Sequence, residues 1–443
     1  MAPMRSRIWI AAGLLALCLI AFLVYHLPPV HDRLAWRLES WRTQVYYALN
    51  PPQQAVFIPQ QQNPLPTLPA ASPTTPPVAE PASATPTLLP SPATATLPAP
   101  SETPTASPTP GPTPTAIPTA VVLKGITHEY QKFNNCGPAT LSMALSYWGW
   151  KGNQIKTRSY LRPLADDVDD KNVSPSEMVT FVETQAGLKA MRRYGGSIEL
   201  LKRLTAAGFP VIVEKGFELP KEDWMGHYEL VSGYDDRRGK FITQDAYIMP
   251  DFPLPYDQMQ ERWRDFNYVY VVVYEPAREA ALLMVLGPDA DAEYNLRAAA
   301  DRAIQESKQF FGRDLFFAYF NLGTSLAELQ EYAGAAQAYD LAFALYPRVE
   351  EADRPWRMLW YQQGPYAAYY GAGRYQDVIN LANTTLAYLA TPTLEESLYW
   401  RGMARLAIGE QESGIADLQR AASLNPNYPL PRQQLSSLGI ALP

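Results

Sequence analysis

The stretch from Pro51 to Pro118 most constrains how this chain folds, because it contains 21 of the 42 prolines. Its only charged residues are Glu80 and Glu102, and most of the rest is Thr, Ala and Ser. This composition favours an extended, partly polyproline-like segment over a packed core. We therefore predict a disordered linker over residues 51–120, which at about 3.1 Å per residue reaches on the order of 200 Å when fully extended.

The part before the linker contains a membrane-type segment. The run from Ile8 to Tyr25 is uncharged and strongly apolar, and it follows Arg5 and Arg7, a pattern that favours one membrane span. A cleaved signal peptide would have a shorter apolar core and small residues at its end. We predict a retained transmembrane helix within residues 1–30, with a cytoplasmic N-terminus and extracytoplasmic domains beyond it.

Residues 31–50 connect this span to the linker and carry apolar side chains at helical spacing. These are Leu34, Leu38, Trp41, Val45 and Leu49. The pattern predicts a short amphipathic helix, which either lies on the membrane surface or acts as a simple spacer. The arginines that follow the span, Arg33, Arg37 and Arg42, weaken the charge contrast that favours a cytoplasmic N-terminus.

Residues 121–280 mix helical and β-type patterns, which predicts an α+β domain. The helix-like runs are 138–148, 174–186 and 197–207, and the β-rich runs are 210–214, 227–234, 240–245 and 268–274. The segment from Asp235 to Gly239 is typical of a tight turn, so the strands on either side of it are expected to pair antiparallel.

Residues 285–443 are almost wholly helical in pattern and repeat with a period of about 34 residues. Residues 316–349 and 395–428 carry small residues, including Gly323 and Gly402, where the tetratricopeptide repeat places the contact between its two helices. A degenerate middle copy covers 360–393. This resemblance implies an all-α array of helix pairs that binds a protein partner.

Composition excludes several function classes. The net charge is −7 and no cluster of Lys or Arg occurs, so nucleic acid is not an expected partner. The two cysteines cannot form a disulfide framework. The acidic run at 166–172 lacks the glycine and the terminal glutamate of a calcium loop, and we expect neither a metal nor a cofactor.

Cys136 is the candidate nucleophile, because Cys18 lies inside the apolar N-terminal run. Gly137 and Pro138 suit the start of a helix, whose positive end would favour the thiolate. A lone cysteine is also often a small buried hydrophobic residue, and this alternative stays open on local grounds.

A thiol nucleophile needs a base, and only His128 and His227 lie outside the membrane-proximal region. His128 is too close to the cysteine in sequence unless the chain folds back tightly, so we interpret it as a packing residue. His227 opens a predicted strand and is the better base. Asp245 ends the strand after the predicted turn and is expected to orient His227, whereas Asp235 and Asp236 fit a solvated turn.

Several of these residues together resemble a known family. Gln131, the run from Asn135 to Ala139, Gly226-His227-Tyr228 and Gln244-Asp245-Ala246 are similar to the papain-like cysteine peptidases that remove double-glycine leaders from bacteriocins. The sequence is closer to the free-standing branch, because it shows neither a multi-span region nor a nucleotide-binding loop.

This resemblance covers about residues 121–278 and implies four roles. Cys136 attacks the carbonyl, His227 transfers protons, Asp245 orients the histidine and Gln131 donates to the oxyanion. Ala246-Tyr247 departs from the family pattern, which more often has proline or a small residue and then glycine there. We expect the tryptophans at 148, 150, 224 and 263 in the core or cleft wall, with Trp224 as a candidate substrate-binding residue.

The sequence thus predicts a membrane-anchored, extracytoplasmic cysteine peptidase that acts on a protein or peptide, with helical repeats for partner binding. Two alternatives remain. One is a catalytically inactive papain-like domain in a repeat-based scaffold protein, and the other is an acyl or amide transferase that acts on a component of the cell envelope.

Overall fold

The computed structural model describes most of the chain outside the predicted linker. The described residues are 2–27, eight isolated positions between 30 and 49, and the ranges 57–60, 117–163, 172–218, 223–387, 389 and 393–442. The described residues belong to one compact unit. The predicted linker from 61 to 116 and the acidic run at 166–170 lie outside the described residues.

The first folded part contains a seven-stranded antiparallel sheet. Its strands are β1 (Ala120–Val122), β2 (Lys189–Arg193), β3 (Val211–Phe217), β4 (Met225–Asp235), β5 (Lys240–Asp245), β6 (Met249–Pro255) and β7 (Tyr270–Tyr274). They lie in the order β2-β7-β3-β4-β5-β6, and β1 pairs with the C-terminal end of β4. The predicted turn does join neighbouring antiparallel strands, with Asp235 opposite Lys240.

Helices cover both faces of this sheet. They are α2 (Cys136–Tyr147), α3 (Gln154–Leu161), α4 (Pro175–Phe181), α5 (Ile198–Ala206) and α6 (Tyr256–Arg264), and a π-helical turn at Val182–Ala186 follows α4. Leu141 and Leu145 of α2 pack with Ile212, Tyr228 and Leu230 on one face. Leu201 and Leu204 of α5 pack with Val213, Val231 and Val272 on the other. The predicted α+β class is confirmed for this part, which we call the α+β domain.

A helical region follows the α+β domain. Its elements are α7 (Glu279–Leu286), α8 (Ala292–Ser307), α9 (Gly312–Glu328), α10 (Tyr332–Leu345), α11 (Met358–Tyr361), α12 (Gly364–Gly371), α13 (Tyr375–Ala387), α14 (Glu395–Ala407), α15 (Gln411–Leu424) and α16 (Pro429–Ser437). A Cβ atom added to Gly323 would lie 2.8 Å from the Tyr339 ring, and one added to Gly402 would lie 2.9 Å from the Gly414 carbonyl oxygen. The small residues thus lie where α9 meets α10 and α14 meets α15, as the sequence predicted.

The α+β domain and the helical region share a hydrophobic core. Trp224, Phe266 and Val269 pack in one cluster with Phe317 and Tyr339 of the helical region. Polar contacts cross the same boundary: the side-chain amide of Asn267 donates to the Ser325 hydroxyl over 2.9 Å, and that of Asn321 donates to the Arg264 carbonyl over 2.8 Å. The two parts therefore behave structurally as one body.

The N-terminal segment contains the helix α1, from Ala2 to Tyr25. Over the residues that the structure describes, no helix combines the length and apolarity needed to cross a membrane. The predicted span therefore stays a prediction. The side chains predicted to form an apolar stripe in residues 31–50, namely Leu34, Leu38, Trp41, Val45 and Leu49, are helical and exposed.

The short segment from residue 57 to residue 60 packs against the helical region, although the sequence assigned it to the linker. Phe57 is 5% exposed, and its ring meets those of Phe343 and Tyr369 at centroid distances of 5.0 and 6.0 Å. The backbone N–H of Gln60 donates to the Asp377 carboxylate over 2.8 Å. Phe57 thus packs in an apolar site although it lies in a proline-rich run. The predicted linker boundary at residue 51 therefore needs correction.

The close contact between α14 and α15 gives a stability prediction. In Gly402→Ala, the new methyl group would press on the Gly414 carbonyl and on Leu418, which a Cβ would approach to 3.0 Å. Overpacking of this kind costs about 1–3 kcal/mol. We expect a lower unfolding temperature by circular dichroism. Gly334→Ala is the matched control, because its methyl would make ordinary contact at 3.4 Å and favours the helix; equal melting of the two variants would contradict the packing argument.

Candidate active site

Cys136 is the first residue of α2, which begins two residues before the predicted helix start at Pro138. The next residue packs so tightly that only glycine fits easily, because a Cβ on Gly137 would lie 3.0 Å from Met178 and 3.3 Å from Val173. This contact holds the start of α2 against the loop before α4. The thiol therefore lies at the positive end of a helix whose apolar side is buried in the domain core.

His227 and Asp245 form a buried pair. Their side chains are 3% and 0% exposed, and His227 Nε2 lies 3.1 Å from Asp245 Oδ1. Each of His227 and Cys136 shifts the pKa of the other toward its charged form, so the two side chains lie close together. Because Nε2 is used by the aspartate, Nδ1 is the nitrogen left for the sulfur. The structure thus brings Cys136, His227 and Asp245 into one array.

A β-bulge places Asp245 on the correct face of the sheet. Asp235 pairs with Lys240, but the register shifts by one residue between Gly233 and Val231, so that Leu230 pairs with Gln244. Continued by one step, this register puts Asp245 opposite Glu229, which shares a strand face with His227. Without the bulge, Asp245 would oppose Leu230, whose side chain faces the opposite side.

The backbone after Asp245 fixes its carboxylate. The N–H groups of Tyr247 and Ile248 both donate to Asp245 Oδ1, over 2.7 and 3.0 Å. Any residue type other than proline provides these donors at positions 247 and 248. The departure at Ala246-Tyr247 from the family pattern is therefore compatible with a held aspartate, and Ala246 itself is fully buried.

The pKa directions describe a charge-separated pair. Burial by itself would lower the pKa of His227, but the Asp245 carboxylate and the thiol raise it to about 10. Burial would raise the pKa of Cys136, yet the hydrogen bond and charge of His227 lower it below the ordinary thiol value. Burial opposes ionisation of Asp245 too, and His227 outweighs it and lowers that pKa. All three directions favour a thiolate beside an imidazolium.

Two further charged groups support this array, and the sequence analysis missed both. Glu229 is fully buried, and its Oε1 lies 3.1 Å from Lys215 Nζ. Burial and the nearby Asp245 carboxylate raise the pKa of Glu229 to about 7, while the charge of Lys215 opposes them. The signal in the sequence was a glutamate inside the otherwise uncharged strand that follows His227.

Gln131 lies beside the turn that follows Asp245. Its backbone N–H donates to the Ala246 carbonyl over 2.8 Å, and its side chain is 7% exposed. Its Oε1 has no hydrogen-bond partner among the described residues. This backbone hydrogen bond joins the segment before Cys136 to the turn after Asp245. The oxyanion role of Gln131 remains a proposal.

The other candidates lie outside the array. His128 Nδ1 lies 3.1 Å from Gln244 Oε1, and burial lowers the pKa of this histidine. Trp224 is 2% exposed, its Nε1 donates to Asp265 over 2.8 Å, and its ring stacks on Phe266. Trp224 is therefore a core residue, and burial against the helical region removes the substrate-binding role considered for it.

Two carboxylate-containing clusters have the ligand types of a metal site. One is His227, Glu229 and Asp245, and the other is Glu177, Glu395 and Glu396; in each, the ligand atoms lie within 4.8 Å of one another. In the first cluster, His227 and Lys215 already supply positive charge to the two carboxylates. That pattern suits proton sharing between protein groups.

Part of this chain is similar to known proteins. Residues 123–271 match the family model of the Peptidase C39-like family. A solved structure assigned as a C39-like peptidase from Bacillus anthracis is 17% identical, and the match covers 35% of this chain and 98% of that chain with a TM-score of 0.30. No curated protein sequence matches the chain. The family match supports a cysteine peptidase domain, whereas the bacteriocin-processing subtype and the tetratricopeptide assignment stay predictions.

The ion pair makes the alkylation of Cys136 by iodoacetamide a sensitive test. Because only the thiolate reacts, we expect the pH midpoint of the wild-type rate to lie below the ordinary thiol pKa of about 8.5. In Asp245→Asn the imidazolium loses its main stabilising charge, and the pH midpoint should rise by at least about one unit. Mass spectrometry of the Cys136 peptide separates this site from Cys18. A wild-type midpoint near the ordinary thiol pKa of about 8.5 would contradict the ion pair.

Proposed function

We propose that this chain is a cysteine peptidase that cleaves a peptide bond in a protein or peptide substrate. The observation that carries this proposal is the array in which His227 bonds the buried Asp245 carboxylate and lies beside the Cys136 thiol. A thiolate at a helix start, an imidazolium beside it and a carboxylate behind the imidazole are the groups that acyl transfer through sulfur requires. The match of residues 123–271 to a peptidase family supports the same reaction.

The reaction proceeds in two halves. The Cys136 thiolate attacks the carbonyl carbon, and the oxygen becomes an oxyanion that receives hydrogen bonds from the Gln131 side chain and a backbone N–H. His227 Nδ1 gives its proton to the leaving amine as the C–N bond breaks, which leaves a thioester. Water then attacks the thioester, His227 takes its proton, and the thiolate is released with the carboxylic acid product.

Asp245 acts on the histidine throughout both halves. Its carboxylate is held by two backbone N–H groups, so the imidazole keeps one orientation while its Nδ1 gains and loses a proton. The nearby Glu229 and Lys215, which pair with each other, affect the ionisation of Asp245. A carboxylate that is already fixed needs no reorganisation as charge develops on the imidazole.

The proposal extends to the location of the enzyme. The apolar, uncharged run from Ile8 to Tyr25 supports a single membrane span with a cytoplasmic N-terminus and an extracytoplasmic active site. The repeated helix pairs support a protein partner that binds the helical region.

Labelling with a peptide acyloxymethyl ketone tests the reaction. We expect one adduct on Cys136 in the wild type, and a labelling rate at least about 100-fold lower in His227→Ala, because the thiolate and the proton donor are both lost. His128→Ala is the matched control and should label at the wild-type rate. An undiminished adduct in His227→Ala, or no adduct in the wild type, would favour an inactive domain in a scaffold protein.

A further inference from the structure

A cavity of about 760 Å³ lies between the α+β domain and the helical region. On one side it is lined by residues that include Tyr160, Tyr194 and Glu214, and on the other by residues that include Tyr332, Trp400 and Tyr428. The helical region therefore forms one wall of a space whose other wall is the α+β domain. The volume suits a few residues of a peptide.

Glu214 connects this cavity to the reactive thiol. It lies on β3 directly opposite Tyr228, the residue after His227. Its carboxyl group is close enough to Cys136 for a thiolate to affect its ionisation. The part of the cavity wall that contains Glu214 therefore lies close to Cys136, which is not itself among the lining residues.

Glu214 is also the polar group that points to a ligand. The residue is 3% exposed, and its Oε1 has no hydrogen-bond partner among the described residues. A buried oxygen without a partner costs on the order of 1–3 kcal/mol, which a donor from a bound molecule would recover. A donor that carries positive charge recovers most.

The other residues that line the cavity also favour a positively charged ligand. The described residues that line the cavity include four glutamates and one arginine, and neither lysine nor histidine is among them. That arginine, Arg192, is already paired with Glu328 through contacts of 2.7 and 3.0 Å. The lining also includes seven aromatic side chains. Aromatic faces together with carboxylates favour a cation that is partly stripped of water.

We propose that this cavity binds a lysine or arginine side chain of the substrate, with Glu214 as its counter-ion, so that the enzyme selects peptides with a basic residue near the cleaved bond. This inference rests on the proposed peptidase function. It makes the helical region part of the substrate site in addition to any partner surface it provides.

The ionisation of Glu214 fits this role. Burial raises its pKa well above the ordinary value, and the nearby thiol raises it further, while the Tyr228 and Asn172 side chains oppose both effects. The protonated form of Glu214 is thus favoured relative to that of an exposed glutamate. A bound ammonium or guanidinium would lower its pKa and release the proton, so binding of a basic peptide should weaken as the pH falls.

Fluorescein-labelled ten-residue peptides of Ala and Ser, with one central lysine, norleucine or glutamate, test the proposal by fluorescence anisotropy. The full-length Cys136→Ala protein is used, so that binding is measured without cleavage. We expect the lysine peptide to bind at least about 10-fold more tightly than the norleucine peptide. Glu214→Gln should remove most of this difference, and Glu412→Gln, at an exposed glutamate remote from the cavity lining, should keep it.

The outcomes separate this inference from the proposed function. Equal binding of the lysine and norleucine peptides by the Cys136→Ala protein would overturn the basic-residue inference, even if the wild type still labels with the ketone. Selectivity that survives Glu214→Gln unchanged would overturn the role of Glu214. Selective binding by a protein whose wild type does not label would retain the cation site and overturn the peptidase.

A second inference comes independently from the docked segment at residues 57–60. Phe57 is inserted among rings of α10 and α12, and Gln60 bonds Asp377 of α13. Asp377 is itself held by Arg374 over 2.8 Å. Pro59 is also buried, so two of the four residues bury their side chains against the helices.

We infer that this segment is an intramolecular clip that fastens the folded unit to the chain at residue 57. Residues 61–116 then begin and end on the same unit, because residue 117 belongs to it too. With the proposed span ending at Tyr25, the chain from there to Phe57 is 32 residues long and reaches at most about 110 Å. The clip therefore keeps the active site nearer to the membrane than a 200 Å linker would.

Hydrogen exchange of the full-length protein in detergent tests the clip. The backbone amides of residues 57, 58 and 60 should exchange at least about 10-fold more slowly in the wild type than in Phe57→Ala, since loss of the ring releases the segment. Ile58→Ala is the matched control, because Ile58 is 57% exposed, and it should keep the protection. Exchange of the wild-type segment at the rate of an unstructured peptide would overturn the inference, whatever the variants do.

Discussion

The site depends on the register between β4 and β5. The bulge near Gly233 shifts the pairing by one residue, and that shift decides whether Asp245 shares a face with His227 or with Leu230. A second constraint acts at position 233, because a Cβ there would lie 2.6 Å from the Val121 carbonyl oxygen of the neighbouring strand. A glycine that admits β1 beside β4 thus lies at the point where the strand gains its extra residue.

The array places several ionisable groups where water is excluded. Such groups are stable only when each has a partner, because an unpaired buried charge costs several kcal/mol. Here His227 bonds the Asp245 carboxylate, Asp245 receives two backbone donors, and Lys215 lies beside Glu229. The two hydrophobic cores on either side of the sheet offset the free-energy cost of burying these charges. The helical region contributes too, since a Cβ on Gly226, next to His227, would lie 2.9 Å from Tyr361.

The sequence predicted the parts of this site that follow from local chemistry. Cys136 was identified by its helix-start neighbours, His227 by elimination among four histidines, and Asp245 by its place after a turn. β3, β4, β5 and β7 were predicted because they are rich in β-branched and aromatic residues. β1, β2 and β6 were missed, since they are short or carry charges and prolines, as edge strands often do. Glu229 and Lys215 could not be assigned before the strand pairing was known.

Contacts between distant parts of the chain account for the remaining differences. Trp224 resembled a cleft residue because it lies near His227, but its environment is set by helices about 100 residues further along the chain. Phe57 was hidden in a stretch whose average composition predicts no packing, yet one ring is enough to dock when an apolar site exists for it. Both residues pack in the same hydrophobic cluster, Trp224 from the α+β domain and Phe57 from the segment at residues 57–60. The helical region therefore joins the β-sheet to this segment, and a change in its packing would affect both.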